Sequence, residues 1–132
     1  MLIETDVLLA ALNRRDPLRP AALDVLSTEG LVLSPYTLLE INLLVRAGKM
    51  KVGDFRAFAD ELGAYLRARG IPVLPDRPEY HATARSIERR HRLSFFDSLH
   101  AAAAMGEGGE IVSADRAYDR IAGVRRRDPE DM

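Results

Sequence analysis

The chain has 132 residues, 47% of them apolar and 30% charged, with a formal net charge of −1, which is the make-up of a soluble globular protein with chain enough for one core. It has no cysteine, so disulfides, thiolate metal sites and a thiol nucleophile are excluded. No apolar run approaches the ~20 residues of a membrane span, and the near-neutral charge gives no global basic field for nucleic acid.

Residues 1–4 lack the positive start of a secretory signal, and a single cytoplasmic domain over 1–132 is expected. Lys49 and Lys51 are the only lysines among nineteen basic residues; the arginines cluster at Arg14-Arg15, Arg89-Arg90-His91-Arg92 and Arg125-Arg126-Arg127. Arginine's fork of donors suits phosphate, although a GC-rich coding sequence would give the same bias.

Residues 1–5 read as a short strand running into an apolar helix over 7–12. Asp16-Pro17 opens a second helix, which ends at Gly30, and 31–33 is a buried strand. Ser34-Pro35 reads as a helix start, Ser as N-cap and Pro at the first helical position, and that helix runs to about Ala47. A longer amphipathic helix is expected over 52–69, with Phe55, Phe58, Leu62 and Leu66 at helical spacing. Then follow a strand at 71–74, helices over 76–91 and 94–105, a strand at 110–112, a short helix over 114–121 and a last strand at 124–126. Short strands alternating with helices imply crossover connections and a mainly parallel α/β sheet covered on both faces. Ligands of such folds bind beyond the carboxyl ends of the strands.

Four acids sit in apolar surroundings: Asp6, Glu40, Asp97 and Asp115. A carboxylate there is costly unless a cation or hydrogen bonds compensate. Each has a structural alternative. Asp6 can cap the helix that follows it, but Glu4 lies two residues away and shares its face on an extended segment. Glu40 can close a capping box with Thr37, but a start at Ser34 puts it past the first turn, among Leu39, Leu43 and Leu44, which make most of the helix buried. Asp97 can complete a box with Ser94, and His100, three residues on, shares its face and reads as a supporting hydrogen-bond partner. Asp115 or Ser113 can be an N-cap. Asp119, a turn later, can join the site or pair with Arg116 or Arg120. Taken together, a set of carboxylates without cysteine or a histidine pair offers hard oxygen ligands for Mg²⁺ or Mn²⁺. Such a site suits in-line attack of an activated water on a phosphodiester.

The segments Ile3-Glu4-Thr5-Asp6-Val7-Leu8-Leu9, Ser34-Pro35-Tyr36-Thr37-Leu38-Leu39-Glu40, Leu93-Ser94-Phe95-Phe96-Asp97-Ser98-Leu99-His100-Ala101 and Ile111-Val112-Ser113-Ala114-Asp115 together resemble a PIN-domain ribonuclease, in particular the VapC-like toxins of toxin–antitoxin pairs. The resemblance covers nearly the whole chain. It implies a three-layer α/β/α domain that cleaves RNA with Mg²⁺ or Mn²⁺, a homodimer, and a small antitoxin protein that wraps the groove. Glu40, Asp97 and Asp115 match the family's second, third and fourth acids, and Ser113 stands where a small hydroxyl residue is usual. The family's first Asp falls on Glu4, a departure by one methylene, and its Asn or Ser on Asp6. Glu4, Asp6, Glu40, Asp97 and Asp115 are thus the expected metal ligands, with all but Glu4 assigned to catalysis, and Ser113, His100 and Asp119 in support. A catalytically weak RNA- or protein-binding module is the alternative. A phosphoacceptor signalling domain fits poorly, because it wants a lysine near the last strand and both lysines lie mid-chain.

Overall fold

The computed structural model describes residues 1–132. Four short parallel strands form one sheet in the order β2 (Val32–Leu33), β1 (Leu2–Ile3), β3 (Glu110–Val112), β4 (Arg125–Arg127). Leu2 pairs with Val32 on one side and Ile111 on the other, and Val112 pairs with Arg127. The expected strand at 71–74 is reduced to one parallel bridge, Leu33 with Val73.

Alternation along these strands divides the core. Ile3, Leu33 and Val112 point to a cluster with Val7, Leu8, Val25, Leu62 and Leu66. These come from helices α1 (Thr5–Leu12), α2 (Arg19–Val25) and α4 (Phe55–Ala68). Leu2 and Ile111 point the other way, to Tyr80, Ile87, Leu99 and Ala101 to Ala104 of α5 (Pro78–His91) and α6 (Phe95–Gly106). The result is the expected α/β/α sandwich. The alanine run of α6 lets that helix lie close to the sheet; Ala101, Ala103 and Ala104 are fully buried.

Helix starts differ from expectation in ways that matter for the site. α1 begins at Thr5, with Glu4 as its N-cap, so Glu4 and Asp6 straddle a helix start rather than sharing one face of an extended segment. α3 spans Thr37–Arg46 and is capped by Tyr36; Ser34 and Pro35 stay outside it. Glu40 therefore lies in the first turn, not beyond it. The leucines expected to make α3 mostly buried do not: Leu39 is 52% and Leu43 47% exposed, and Ile41 carries the packing. Asp16 accepts a hydrogen bond from Leu18 N–H, but α2 proper starts only at Arg19, beside Pro20. Asp54, not residue 52, caps α4 through Ala57 N–H.

Candidate active site

The carboxyl ends of β1 and β3 lie side by side, and each is followed at once by polar residues. Glu4 and Ser113 are both buried there, Ser113 completely. The Ser113 hydroxyl lies 2.7 Å from Glu4 Oε1 and 2.8 Å from Asp6 Oδ2, and it accepts from Asp115 N–H at 3.0 Å. A hydroxyl has one proton, so it cannot donate to both carboxylates; without a cation one of them must carry a proton of its own. The folded environment favours the protonated form at Glu4. Burial raises its pKa well above the ordinary glutamate value, the nearby Asp6 charge adds to this, and Asp97 acts in the same direction. Asp6 Oδ2 also accepts from Ala114 N–H at 2.8 Å, while its Oδ1 is buried without a hydrogen-bond partner.

Glu40 reaches the same place from α3. Its Oε1 accepts from Thr5 Oγ1 and lies 3.0 Å from His100 Nε2. Burial pushes the Glu40 pKa up, but the His100 and Thr5 hydrogen bonds outweigh it, and the net direction is down. His100 is fully buried, with Nδ1 2.6 Å from Ser34 Oγ and Nε2 3.8 Å from Glu4 Oε2. The helical spacing that suggested an Asp97 partner is thus overridden: His100 serves Glu40, from another helix.

Asp97 lies in the first turn of α6, which Ser94 caps by accepting from Asp97 N–H at 3.2 Å. The return bond of a capping box, in which Ser94 N–H would donate to the Asp97 carboxylate, is not made. The carboxylate instead takes the Tyr118 hydroxyl at 3.4 Å. Tyr118 is completely buried, and its pKa is driven up by burial first and then by the charges of Glu4, Asp97, Asp6 and Asp115. The phenol thus lies within electrostatic reach of all four acids and bonds one of them, Asp97. Asp115 does cap the short 3-10 helix Arg116–Arg120 through Ala117 N–H at 2.9 Å. Asp119 turns outward, half exposed, and pairs with Arg126 at 2.8 Å rather than with Arg116 or Arg120. Arg126 in turn donates to Ser113 O at 2.9 Å, so Asp119 touches the site only through the strand that carries Ser113.

Four hydroxyl residues were missed in the sequence: Thr5, Ser34, Thr37 and Tyr118. Thr5 and Thr37 bond each other at 3.2 Å beneath Glu40. The available signal was positional, since Ser34 and Ser113 each follow a strand directly.

No lysine or arginine pairs with Glu4, Asp6, Asp97 or Asp115, and histidine is the only basic partner of Glu40. Uncompensated carboxylates, with a buried oxygen lacking any partner, fit a hard divalent cation held by oxygen. Glu4, Glu40 and His100 also place one ligand atom each within 4.8 Å of one another.

A family model described as PIN domain matches residues 1–124. A search of curated proteins gives no match by sequence. Among solved structures the chain is similar to VapBC2 from Rickettsia felis bound to a DNA fragment from their promoter, at 15% identity, 96% coverage of both chains and a TM-score of 0.72. It is also similar to FitAcB from Neisseria gonorrhoeae, at 24% identity, 99% coverage of both chains and a TM-score of 0.69. DNA-bound VapBC from Salmonella typhimurium gives 18% identity, 97% coverage of this chain, 96% of that one and a TM-score of 0.69. At these identities the likeness is one of fold; the family model, spanning nearly the whole chain and all of the clustered acids, shows that this chain belongs to the PIN-domain family.

Proposed function

We propose that this PIN-domain protein is a divalent-cation-dependent endoribonuclease, the toxin of a toxin–antitoxin pair, acting on cytoplasmic RNA. The observation that carries the reading is the Ser113 hydroxyl set between Glu4 and Asp6 at the carboxyl ends of β1 and β3 and bonded to the backbone of Asp115, with no lysine or arginine paired to any of these acids. A Mg²⁺ or Mn²⁺ ion bound there would polarise the scissile phosphate and lower the pKa of a water. Glu4, Asp6, Glu40, Asp97 and Asp115 would hold it. The protein's own part is positional: Ser113 spaces Glu4 from Asp6, Tyr118 steadies Asp97, and His100 with Thr5 aims Glu40. Hydrolysis adds water across one P–O bond of the RNA backbone.

The similar structures named above include toxin-type complexes solved on DNA. By that analogy this chain pairs with a small antitoxin and forms a homodimer, and the exposed Leu39 and Leu43 of α3 offer apolar surface for such assembly.

Purified protein incubated with a mixed cellular RNA pool should give fragments with Mg²⁺ or Mn²⁺ and none with EDTA. Asp97→Asn should lower cleavage by at least ~100-fold, the upper end of what outer-shell changes produce, while its circular dichroism stays native. Full activity in that variant would remove the proposal. The second reading, a weak or inactive binding module, is favoured by Glu4, whose extra methylene is packed at 5% exposure. RNA binding without cleavage under any metal would support it.

A further inference from the structure

Both ring nitrogens of the fully buried His100 are engaged, Nδ1 by Ser34 Oγ at 2.6 Å and Nε2 by Glu40 Oε1 at 3.0 Å. Which nitrogen carries the proton follows from Ser34. Its hydroxyl has one proton to give and two lone pairs, and it already accepts from Tyr36 N–H at 3.3 Å. Ser34 is also fully buried, and the only acceptor its proton can reach is His100 Nδ1. Were Nδ1 protonated, that hydroxyl proton would be buried and unpaired, which is the costly arrangement. Nδ1 therefore accepts, and the hydrogen sits on Nε2, aimed at Glu40. The rings of Tyr36, edge-on at 6.2 Å, and Phe96, tilted at 6.4 Å, fix the plane of the imidazole.

We propose that Ser34 locks His100 in the Nε2–H tautomer, making His100 a positioning residue that orients Glu40 rather than a ligand of the cation. The proximity of Glu4, Glu40 and His100 would otherwise invite a site with imidazole as third ligand. An Nε2 that donates to Glu40 has no lone pair in that direction, so the two roles exclude each other. Ser34 follows β2, Thr5 follows β1, Glu40 lies on α3 and His100 on α6. The relay thus fastens Glu40 to three other parts of the fold, as outer groups commonly fix the tautomer and direction of a metal site's histidine. This rests on the proposed reading that Glu40 faces a divalent cation.

The test has two arms. Long-range proton–nitrogen spectra of the metal-free protein, with only three histidines to resolve and His100→Gln to assign, should show His100 protonated at Nε2 alone. Ser34→Ala should mix the tautomers and Ser34→Thr should restore one. A ring protonated at Nδ1 or at both nitrogens, or a Ser34→Ala spectrum unchanged from the parent, overturns the proposal. The second arm is calorimetric titration with Mn²⁺. A Gln amide can accept from Ser34 and donate to Glu40 but is a poor ligand, so His100→Gln should keep affinity within ~3-fold while His100→Leu loses ~10–100-fold. Equal losses in the two variants would make the imidazole a ligand and overturn it. Absence of Mn²⁺ binding by the parent protein would count against the nuclease reading, and the metal-free spectra would still decide the tautomer. Backbone amide spectra confirm the fold of each variant.

Discussion

Burial and the Asp6 charge favour the protonated form of Glu4 when no cation is bound, and together they outweigh the Ser113 hydrogen bond, which acts the other way. The consequence for stability has a definite sign. A carboxyl whose pKa is raised on folding binds more proton in the native than in the unfolded state, so stability falls as pH rises from the ordinary glutamate value through the raised one. Glu40, lowered on folding, acts in the other window: its stabilisation is present above the ordinary value and lost as pH falls through its native pKa. Metal-free protein should therefore lose stability as pH rises above the ordinary glutamate range, and Glu4→Gln should flatten that slope. Urea melts across this range measure it; an unchanged slope in Glu4→Gln would mean that Glu4 is not the proton's holder. Mn²⁺ should reverse the trend, since binding needs the deprotonated carboxylate. The acids themselves were legible in the sequence because each interrupts an apolar run. Their partners were not. Ser34 looked like a helix cap because Ser-Pro is a strong local start signal; instead its hydroxyl goes to a histidine 66 residues away, a contact that no local pattern encodes.

At the level of elements, the close seat of α6 between α5 and the sheet depends on small side chains. Gly106 ends the helix, and a Cβ there would lie 2.6 Å from Cε1 and 3.2 Å from the hydroxyl oxygen of Tyr80, a ring that is itself buried on α5. Gly106→Ala gains helix propensity of ~1 kcal/mol but must displace that ring, and overpacking costs ~1–3 kcal/mol. We expect a net loss of stability, read as a lower urea midpoint at unchanged slope, with cleavage retained well below the melt. A variant as stable as the parent would show that Tyr80 yields freely. Sequence signals located all six helices; five of them present several apolar residues to one of the two core clusters, and α3 presents only Ile41. They misplaced the start of α3, where Ser34 has a tertiary rather than a capping role. They also misjudged α3, whose leucines look like core in sequence yet flank a single buried position, Ile41. Hydrophobicity marks surface that prefers cover, without saying whether the cover comes from the same chain.

Across the whole molecule, and on the proposed nuclease reading, a net charge of −1 leaves attraction of an RNA substrate to the placement of the arginines. β4 sorts them by strand alternation. Arg126 points inward and is consumed by Asp119, Asp128 and Ser113 O. Arg125 sits at the amino end, beside Glu110 at 3.7 Å. Arg127 is different: it pairs in register with Val112, its carbonyl accepts from Ser113 N–H at 3.1 Å, and it forms no ion pair. It thus stands at the carboxyl edge of the sheet, beside the acids, with an uncommitted guanidinium suited to a backbone phosphate of the substrate. Arg127→Gln should raise KM for RNA and leave kcat nearly unchanged, since a phosphate contact away from the scissile bond supplies uniform binding. Removing one such contact should also lower the slope of log affinity against log salt by ~0.7, the value per phosphate for single strands. Arg125→Gln, at the far end of the same strand, should change neither. If the two variants behave alike, RNA is not tracking the carboxyl edge, and the path of the substrate must run instead over the arginines of α5, Arg89 and Arg90, on the other face of the sheet.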